Sequence, residues 1–267
     1  MGVNVMKKEG ARKAVARSTI YKSLSLAFSP QTPEVREFIR GKLAEKLEAA
    51  MPLLPDNYQL VGWALPTAIS SRYLMVGGAH PTNLEKDASR LLDALANCSD
   101  METEYNRLFR VGLVCTPYET EHDPMKSVRK GPVLSDILGF YTAFGLKPSE
   151  QAKELPDHIA VELEFMSWLV LKEAYARARG WKNKLELTLT AERKFLGDHL
   201  GSWVFPFCDN VEKNAAAPFY SALAGLLRNF IRHEIDFLGV DPIRFDASPE
   251  IRPDDNEELS CPFLPSS

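Results

Sequence analysis

Apolar residues recur three and four positions apart along most of this chain, which is the spacing of one face of an α-helix. The stretch 159–170 places Ile159, Leu163, Met166 and Val170 on one stripe, and residues 219–237 repeat the pattern most regularly. Glycines at 180 and 239 follow these two stretches, where helices commonly end. Alternating strand patterns with Asn-Gly or Asp-Gly turns are missing from the sequence. The pattern therefore predicts an all-α fold.

Start signals mark further helices in the first half of the chain. Thr32 followed by Pro33 has the form of an N-cap with proline at the first helical position, and Asp100 precedes another apolar periodic stretch as a cap. Helical spacing also joins Arg17, Tyr21, Leu24 and Phe28, and later Leu84, Ala88, Leu91, Leu92 and Leu95. These signals predict several shorter helices before residue 110.

Two polar stretches rich in proline and glycine interrupt the helices, at residues 111–132 and 146–156. Inside the first, Thr116-Pro117-Tyr118-Glu119 has the form of a capping box and predicts a short helix. We predict a single two-lobed helical domain with these parts: an N-terminal extension (1–16), an N-terminal lobe with its connecting loop (17–131), a C-terminal lobe (132–240) that includes a hinge (146–157), and an acidic, loosely ordered tail (241–267).

Composition is that of a soluble globular protein, with 45% hydrophobic and 25% charged residues and a net charge of −4. The charge gives no reason to expect a nucleic-acid partner. The longest apolar stretch, "LVGWALPTAISS", is broken by Pro66, and the basic N-terminus lacks the apolar region of a secretory signal. Four scattered cysteines without a C-x-x-C pair are typical of reduced intracellular thiols. We therefore predict a cytoplasmic protein without stable membrane insertion.

The segment "ELPDHIAVELEFM" (154–166) holds the main candidate chemistry. Asp157 is predicted to cap the helix that follows, with Pro156 keeping the preceding chain extended. His158 and Glu162 share one helical face and could chelate a metal ion if His122 or His199 supplied a further ligand. No H-E-x-x-H, G-x-S-x-G or phosphate-binding loop accompanies them. We predict no metal and no cofactor, while a metal-dependent enzyme using His158 and Glu162 stays open as an alternative.

The N-terminal half is rich in aromatic residues, which fit either an apolar groove for a peptide or an ordinary helical core. The residues concerned are Tyr21, Phe28, Trp63, Tyr73, Tyr105 and Phe109. A groove of this kind would also suit a helical scaffold that associates with itself, which is a second alternative. We expect a monomer or a homodimer.

Five segments in order give the chain a specific resemblance. They are "ETEYNRLF" (102–109), "PYET" (117–120), "FYTAFGL" (140–146), "ELPDHIAVELEFM" (154–166), and "FLGDHLGSWVFPF" with "FYSALAGLLRNF" behind it. The series resembles the TorD/DmsD/NarJ family, the assembly chaperones of molybdenum-containing oxidoreductases. The resemblance runs from about residue 17 to residue 239, and its most specific element is E-x-P-D-H opening a helix.

The resemblance implies an all-helical, two-lobed, non-catalytic protein. It would bind the cofactor-free catalytic subunit of a molybdopterin oxidoreductase, often with its twin-arginine leader peptide, assist cofactor insertion and delay export. The residues that the resemblance places at or beside the partner-binding surface are Glu154, Pro156, Asp157, His158, Tyr105, Arg107, Phe109 and Glu119. In this interpretation Asp157 pairs with a leader arginine, and His158, titrating near neutral pH, modulates that pairing.

Overall fold

The computed structural model describes residues 2–54, 84–98, 100–111, 114–147 and 154–243. Its α-helices are α1 (Gly2–Ala27), α2 (Pro33–Gly41), α3 (Leu43–Ala50), α4 (Leu84–Ala96), α5 (Met101–Phe109), α6 (Glu119–His122), α7 (Lys126–Ala143), α8 (Ile159–Arg179), α9 (Lys182–Phe195), α10 (Gly201–Asn214) and α11 (Pro218–Leu238). In these ranges β pairing is limited to one isolated bridge, between Tyr118 and His158. The all-α prediction is confirmed. The predicted acidic tail from residue 244 on, Trp63 and Tyr73 lie outside the described residues.

Helices α1 and α8 lie against each other and form the centre of the molecule. Small side chains allow this approach: the Ser18 hydroxyl donates to the Ser167 carbonyl oxygen at 2.9 Å, and the Ser25 hydroxyl to that of Ala160 at 2.8 Å. One apolar cluster contains residues from both predicted lobes. Helix α1 also runs without a break across residue 16, so the predicted N-terminal extension belongs to it from Gly2 on. The boundary between the lobes stays a prediction.

A buried arginine joins four helices at the core. Arg17 on α1 is 1% exposed, and its guanidinium nitrogens lie 2.6 Å from Glu173, 2.9 Å from Glu192 and 2.7 Å from Glu234. These carboxylates come from α8, α9 and α11. A guanidinium can be buried only when such partners replace the hydrogen bonds that it makes to water.

The first predicted interruption of the helices, residues 111–132, is shorter in the structure than the sequence indicated. Helix α7 begins at Lys126, and Pro132 lies inside it. Residues 124–132 are all exposed, so water can satisfy the Val128 carbonyl that Pro132 cannot bond. The predicted capping box was also wrong, because α6 begins at Glu119 after Tyr118, without a side-chain cap.

A π-helical turn, Leu196–Leu200, links α9 to α10. Apolar and aromatic side chains around the turn are buried, as is one histidine: Phe195, Leu196, His199, Leu200 and Trp203. Gly201 ends the turn, where an added Cβ would lie 2.4 Å from the Leu196 carbonyl oxygen. None of the helices in the described ranges is long and apolar enough to span a membrane.

Candidate functional site

Two distant segments cross where α6 and α8 begin. The Glu119 amide donates to the Asp157 carbonyl oxygen at 3.0 Å, and the Ile159 amide donates to that of Pro117 at 2.8 Å. This antiparallel pairing flanks the Tyr118–His158 bridge. It brings the "PYET" and "PDH" segments, separated by almost forty positions, into one junction.

Asp157 caps α6 and not its own helix. Its Oδ2 accepts the Thr120 amide at 3.2 Å and the Thr120 hydroxyl at 2.7 Å. The predicted role as N-cap of α8 was therefore wrong, because the carboxylate is turned toward the orphan amides at the start of α6. Asp157 is 0% exposed, and its other oxygen is buried without a hydrogen-bond partner among the described residues. In this conformation the carboxylate cannot reach a leader arginine directly.

His158 is the residue that caps α8. Its Nδ1 accepts the Ala160 amide at 3.1 Å, which leaves the proton of the neutral ring on Nε2. The ring is 1% exposed and packs edge-on against Tyr118 with 5.2 Å between centroids. Burial lowers the pKa of His158 to about 4. The expectation that it titrates near neutral pH was wrong, because burial disfavours the charged ring.

Glu154 lies at the edge of the junction and is held by two donors. The Tyr118 hydroxyl donates to it at 2.7 Å, and Arg110 Nη2 donates at 2.8 Å. Burial alone would raise the pKa of Glu154, but the Tyr118 hydroxyl, the neighbouring His158 and Arg110 together outweigh burial and lower the pKa. Glu154 is therefore ionised at neutral pH, and its partner Arg110 has a side chain that is 45% exposed. Of the predicted acidic site residues, this is the one whose ion pair reaches solvent.

Glu119 forms a second buried acidic group with Glu162. His199 Nδ1 lies 3.2 Å from both carboxylate oxygens of Glu119, and Trp203 Nε1 donates to Glu162 at 3.2 Å. Burial and the charge of Glu119 raise the pKa of Glu162 well above its ordinary value. Glu162 thus contacts Trp203, whereas His158 contacts the Ala160 amide at the start of α8, so each side chain has a different partner. Within the described ranges no group of three or more His, Cys, Asp or Glu side chains is arranged to hold a metal ion.

The three candidates on α5 have different surroundings. Tyr105 and Phe109 are 2% and 3% exposed, inside an aromatic cluster that also contains Phe28, Phe207 and Tyr220. Arg107 donates twice to Glu104, at 2.7 and 2.8 Å, and once to the Asn214 carbonyl oxygen at 2.6 Å. These contacts fix α5 to the end of α10. For Tyr21, Phe28, Tyr105 and Phe109 the core interpretation is confirmed.

A groove of about 720 Å³ opens beside the junction, between α1 and α8. We call it the α1–α8 groove; its lining includes Phe38, Tyr141, Leu146, Pro156, Val161, Phe165, Trp168 and Leu171. The Tyr141 hydroxyl donates to the Pro156 carbonyl oxygen at 2.7 Å, and the Tyr141 carbonyl oxygen accepts the Leu146 amide at 2.8 Å. Two carboxylates, Glu154 and Glu164, and three lysines, Lys22, Lys46 and Lys147, also line it. Pro156 and Glu154 are the predicted site residues that reach this groove.

Sequence reasoning missed several residues that build this region. Arg110 and Tyr118 hold Glu154, and Trp168, 38% exposed, lies in the groove. Tyr118 and Thr120 stood inside the quoted "PYET" segment, but nothing local indicates that their partners lie beyond residue 150. Trp168 carried a usable signal, since tryptophan on the outer side of a buried helix is unusual.

Comparisons with known proteins identify the family. The sequence model described as "Nitrate reductase delta subunit" matches residues 78–209. The chlorate reductase assembly chaperone protein of Ideonella dechloratans is 30% identical over 188 residues, covering 66% of this chain and 93% of that protein. This chain belongs to the TorD/DmsD/NarJ family of assembly chaperones. The selenate reductase assembly chaperone protein of Thauera selenatis, 31% identical over 57% of this chain and 81% of that protein, is another relative.

Membership of the TorD/DmsD/NarJ family confirms the resemblance drawn from the five segments. The perchlorate reductase assembly chaperone protein of Dechloromonas aromatica is 27% identical over 82% of this chain and 88% of that protein. All three relatives are named as chaperones and none as a catalyst. The predicted non-catalytic role in enzyme maturation is thereby confirmed, and the alternative of a metal-dependent enzyme has no support among them.

Proposed function

We propose that this protein is a cytoplasmic chaperone for the cofactor-free catalytic subunit of a molybdopterin oxidoreductase. It binds that subunit and its twin-arginine leader peptide, assists cofactor insertion and delays export until the enzyme is complete. The names of the relatives support the maturation role, since they refer to chlorate, selenate and perchlorate reductases. The observation that carries the proposed peptide site is the α1–α8 groove beside Glu154 and Pro156.

The chemistry of the α1–α8 groove suits an apolar peptide segment preceded by arginines. Apolar side chains, most of them from α8, provide much of its wall, while α1 contributes serine, threonine and lysine side chains; an apolar wall of this kind matches the recognition of a helix or extended chain in a groove. Glu154 is ionised and bonded to the exposed Arg110, so an arginine of the peptide can replace Arg110 in a charge-assisted pair. Glu164 offers a second carboxylate, which Lys22 contacts at the surface.

Asp157 and His158 support this site from beneath. Both are buried, and they fix the starts of α6 and α8, so Pro156 and Glu154 are held at the groove edge. In this proposal they are positioning residues. Replacing them would change peptide affinity together with stability, whereas replacing Glu154 would change affinity alone.

The test is a binding titration with a labelled twin-arginine leader peptide and, separately, with the cofactor-free catalytic subunit of a chlorate reductase. The variants are Leu146→Glu in the groove wall and Glu154→Gln at its edge, with Glu186→Gln on the exposed side of α9 as control. We expect Leu146→Glu to weaken binding at least about tenfold, because a charge would face the apolar segment. Glu154→Gln should weaken it severalfold, and only for a peptide that keeps both arginines.

Circular dichroism establishes that each variant is folded. Unchanged affinity of folded Leu146→Glu for both probes would remove the groove from the proposal. Failure of the unaltered protein to bind any reductase subunit or leader would overturn the proposed function itself.

A further inference from the structure

A second apolar surface adjoins the α1–α8 groove along α8, with Trp168 and Leu171 lining both. It forms a shallow pocket of about 1140 Å³ and is built mainly from α8 and α9. We call it the α8–α9 face; its lining includes Val15, Phe144, Trp168, Leu171, Tyr175, Trp181 and Leu187. Tyr175 is 51% exposed, Trp181 40% and Leu187 63%. An exposed apolar patch of this size indicates an interaction surface.

Every charged residue that lines the α8–α9 face is cationic, although the chain as a whole is acidic. The three are Arg12, Lys172 and Lys184. Lys184 Nζ lies 4.0 Å from the Trp181 ring centroid, and Lys172 Nζ lies 4.7 Å from that of Trp168. No carboxylate among the described residues forms an ion pair with these three cations. The face therefore fits an occupant that is apolar and negatively charged.

The chain carries a segment of this composition beyond Ile243. Residues 244–267 contain six carboxylates, Asp246, Glu250, Asp254, Asp255, Glu257 and Glu258, against the two arginines Arg244 and Arg252. Directly after the run "PDDNEE" come Leu259, Phe263 and Leu264. Acidic and apolar groups thus follow each other closely, as the α8–α9 face requires.

The segment is long enough to reach the face. The Ile243 amide donates to the Gly197 carbonyl oxygen at 3.2 Å, which anchors the chain beside the end of α9. Leu187 lies ten residues earlier, or roughly 15 Å along the helix. An extended chain from Ile243 to Asp254 covers up to about 36 Å. The acidic run can therefore reach Lys184 without any movement of the helices.

We propose that residues 254–264 bind the α8–α9 face of the same chain. Their carboxylates pair with Lys172, Lys184 and Arg12, and Leu259 and Phe263 cover Tyr175 and Trp181. The segment then shields an exposed aromatic surface from other proteins. This inference does not depend on the proposed function, since its occupant is a segment of the same chain and its cations, Arg12, Lys172 and Lys184, do not line the α1–α8 groove.

Zero-length cross-linking of the full chain with a carbodiimide, followed by mass spectrometry, tests the proposal. We expect links from Lys172 or Lys184 to carboxylates 254–258 in the monomer fraction. Lys194 and Asp198, 3.1 Å apart on the surface, provide an internal control link. The variant Asp254→Asn/Asp255→Asn/Glu257→Gln/Glu258→Gln should lose the tail links and keep the control link. Sodium chloride at 0.5 M should lower the tail-link yield severalfold.

Two outcomes would overturn the proposal. One is a normal yield of the Lys194–Asp198 link with no link to residues 254–258. The other is tail links found only in a dimer fraction, which would assign the α8–α9 face to a second copy of the chain. As an independent measurement, Phe263→Ser should increase amide exchange in residues 171–187 of the folded protein, and no increase would count against the apolar contacts.

Discussion

The Asp157 carboxylate accepts both the amide and the hydroxyl of Thr120, a residue 37 positions earlier in the chain. Asp157 belongs to the connection that leads into α8, and Thr120 lies in the first turn of α6. This side chain therefore reinforces the backbone pairing at the junction where the candidate partner-binding segment begins.

Replacing Thr120 with valine should destabilise the protein by about 2 kcal/mol, since the buried Asp157 carboxylate loses its shorter hydrogen bond and keeps only the one from the backbone amide of residue 120. Urea unfolding followed by circular dichroism measures the change. Thr142→Val, at an exposed position of α7, is the matched control and should stay within about 0.5 kcal/mol of the unaltered protein. Additive changes in the free energy of unfolding for Thr120→Val and Asp157→Ala in the double variant would contradict the prediction, because they would show that the two side chains do not interact.

Replacing Arg17 with methionine should cost about 3–5 kcal/mol, because three buried carboxylates lose their common partner. Lys22→Met removes a pair with Glu164 in which both side chains are largely exposed, and should cost at most about 1 kcal/mol. Both values come from denaturant unfolding at neutral pH. Equal effects of the two substitutions would show that the Arg17 cluster contributes no more than a surface ion pair.

His158 should make the protein less stable below neutral pH. Its folded-state pKa is about 4 against an ordinary value of 6.5, so between these values the unfolded chain binds a proton that the folded chain excludes. Stability should therefore rise with pH from about 4 to 6.5. His158→Asn keeps a capping oxygen for the Ala160 amide and should reduce this rise, leaving the part due to His122, whose pKa burial also lowers. A His158 titration midpoint near 6.5 by NMR would contradict the prediction.

Gly201 and Gly139 should respond in opposite directions to alanine. At Gly201 a Cβ would lie 2.4 Å from a backbone oxygen and 2.9 Å from Pro242, so the π turn or the backbone around Pro242 must move, at a cost of about 2 kcal/mol or more. At Gly139, exposed in α7 with nothing within 4 Å of the added atom, alanine should stabilise by about 0.5–1 kcal/mol. Thermal unfolding compares the two variants, and a stable Gly201→Ala protein would refute the steric argument.

The long helices and their ends follow from the sequence because their signals are local. Thr32 and Asp100 cap α2 and α5 as predicted, and Gly180 and Gly239 end α8 and α11 in the left-handed conformation. These assignments need only the few residues on either side.

The internal geometry of the site could not be predicted in the same way, since its contacts join distant segments. Asp157 is an ordinary N-cap for α8 until the start of α6 is placed beside it, and His158 then takes the capping role. Arg17 has the spacing of an apolar position, and nothing near it in sequence indicates glutamates more than 150 positions away. Family resemblance located the segment, but only the folded chain shows which side chains are buried.

Tyr141 contacts both sides of the connection between α7 and α8, through its carbonyl oxygen at Leu146 and its hydroxyl at Pro156. The same ring forms part of the α1–α8 groove wall. A ligand in the groove would therefore contact the residue that bonds to Leu146 and Pro156, on either side of the connection. We therefore expect the emission of a fluorescent dye attached at position 147 to change when the groove is filled.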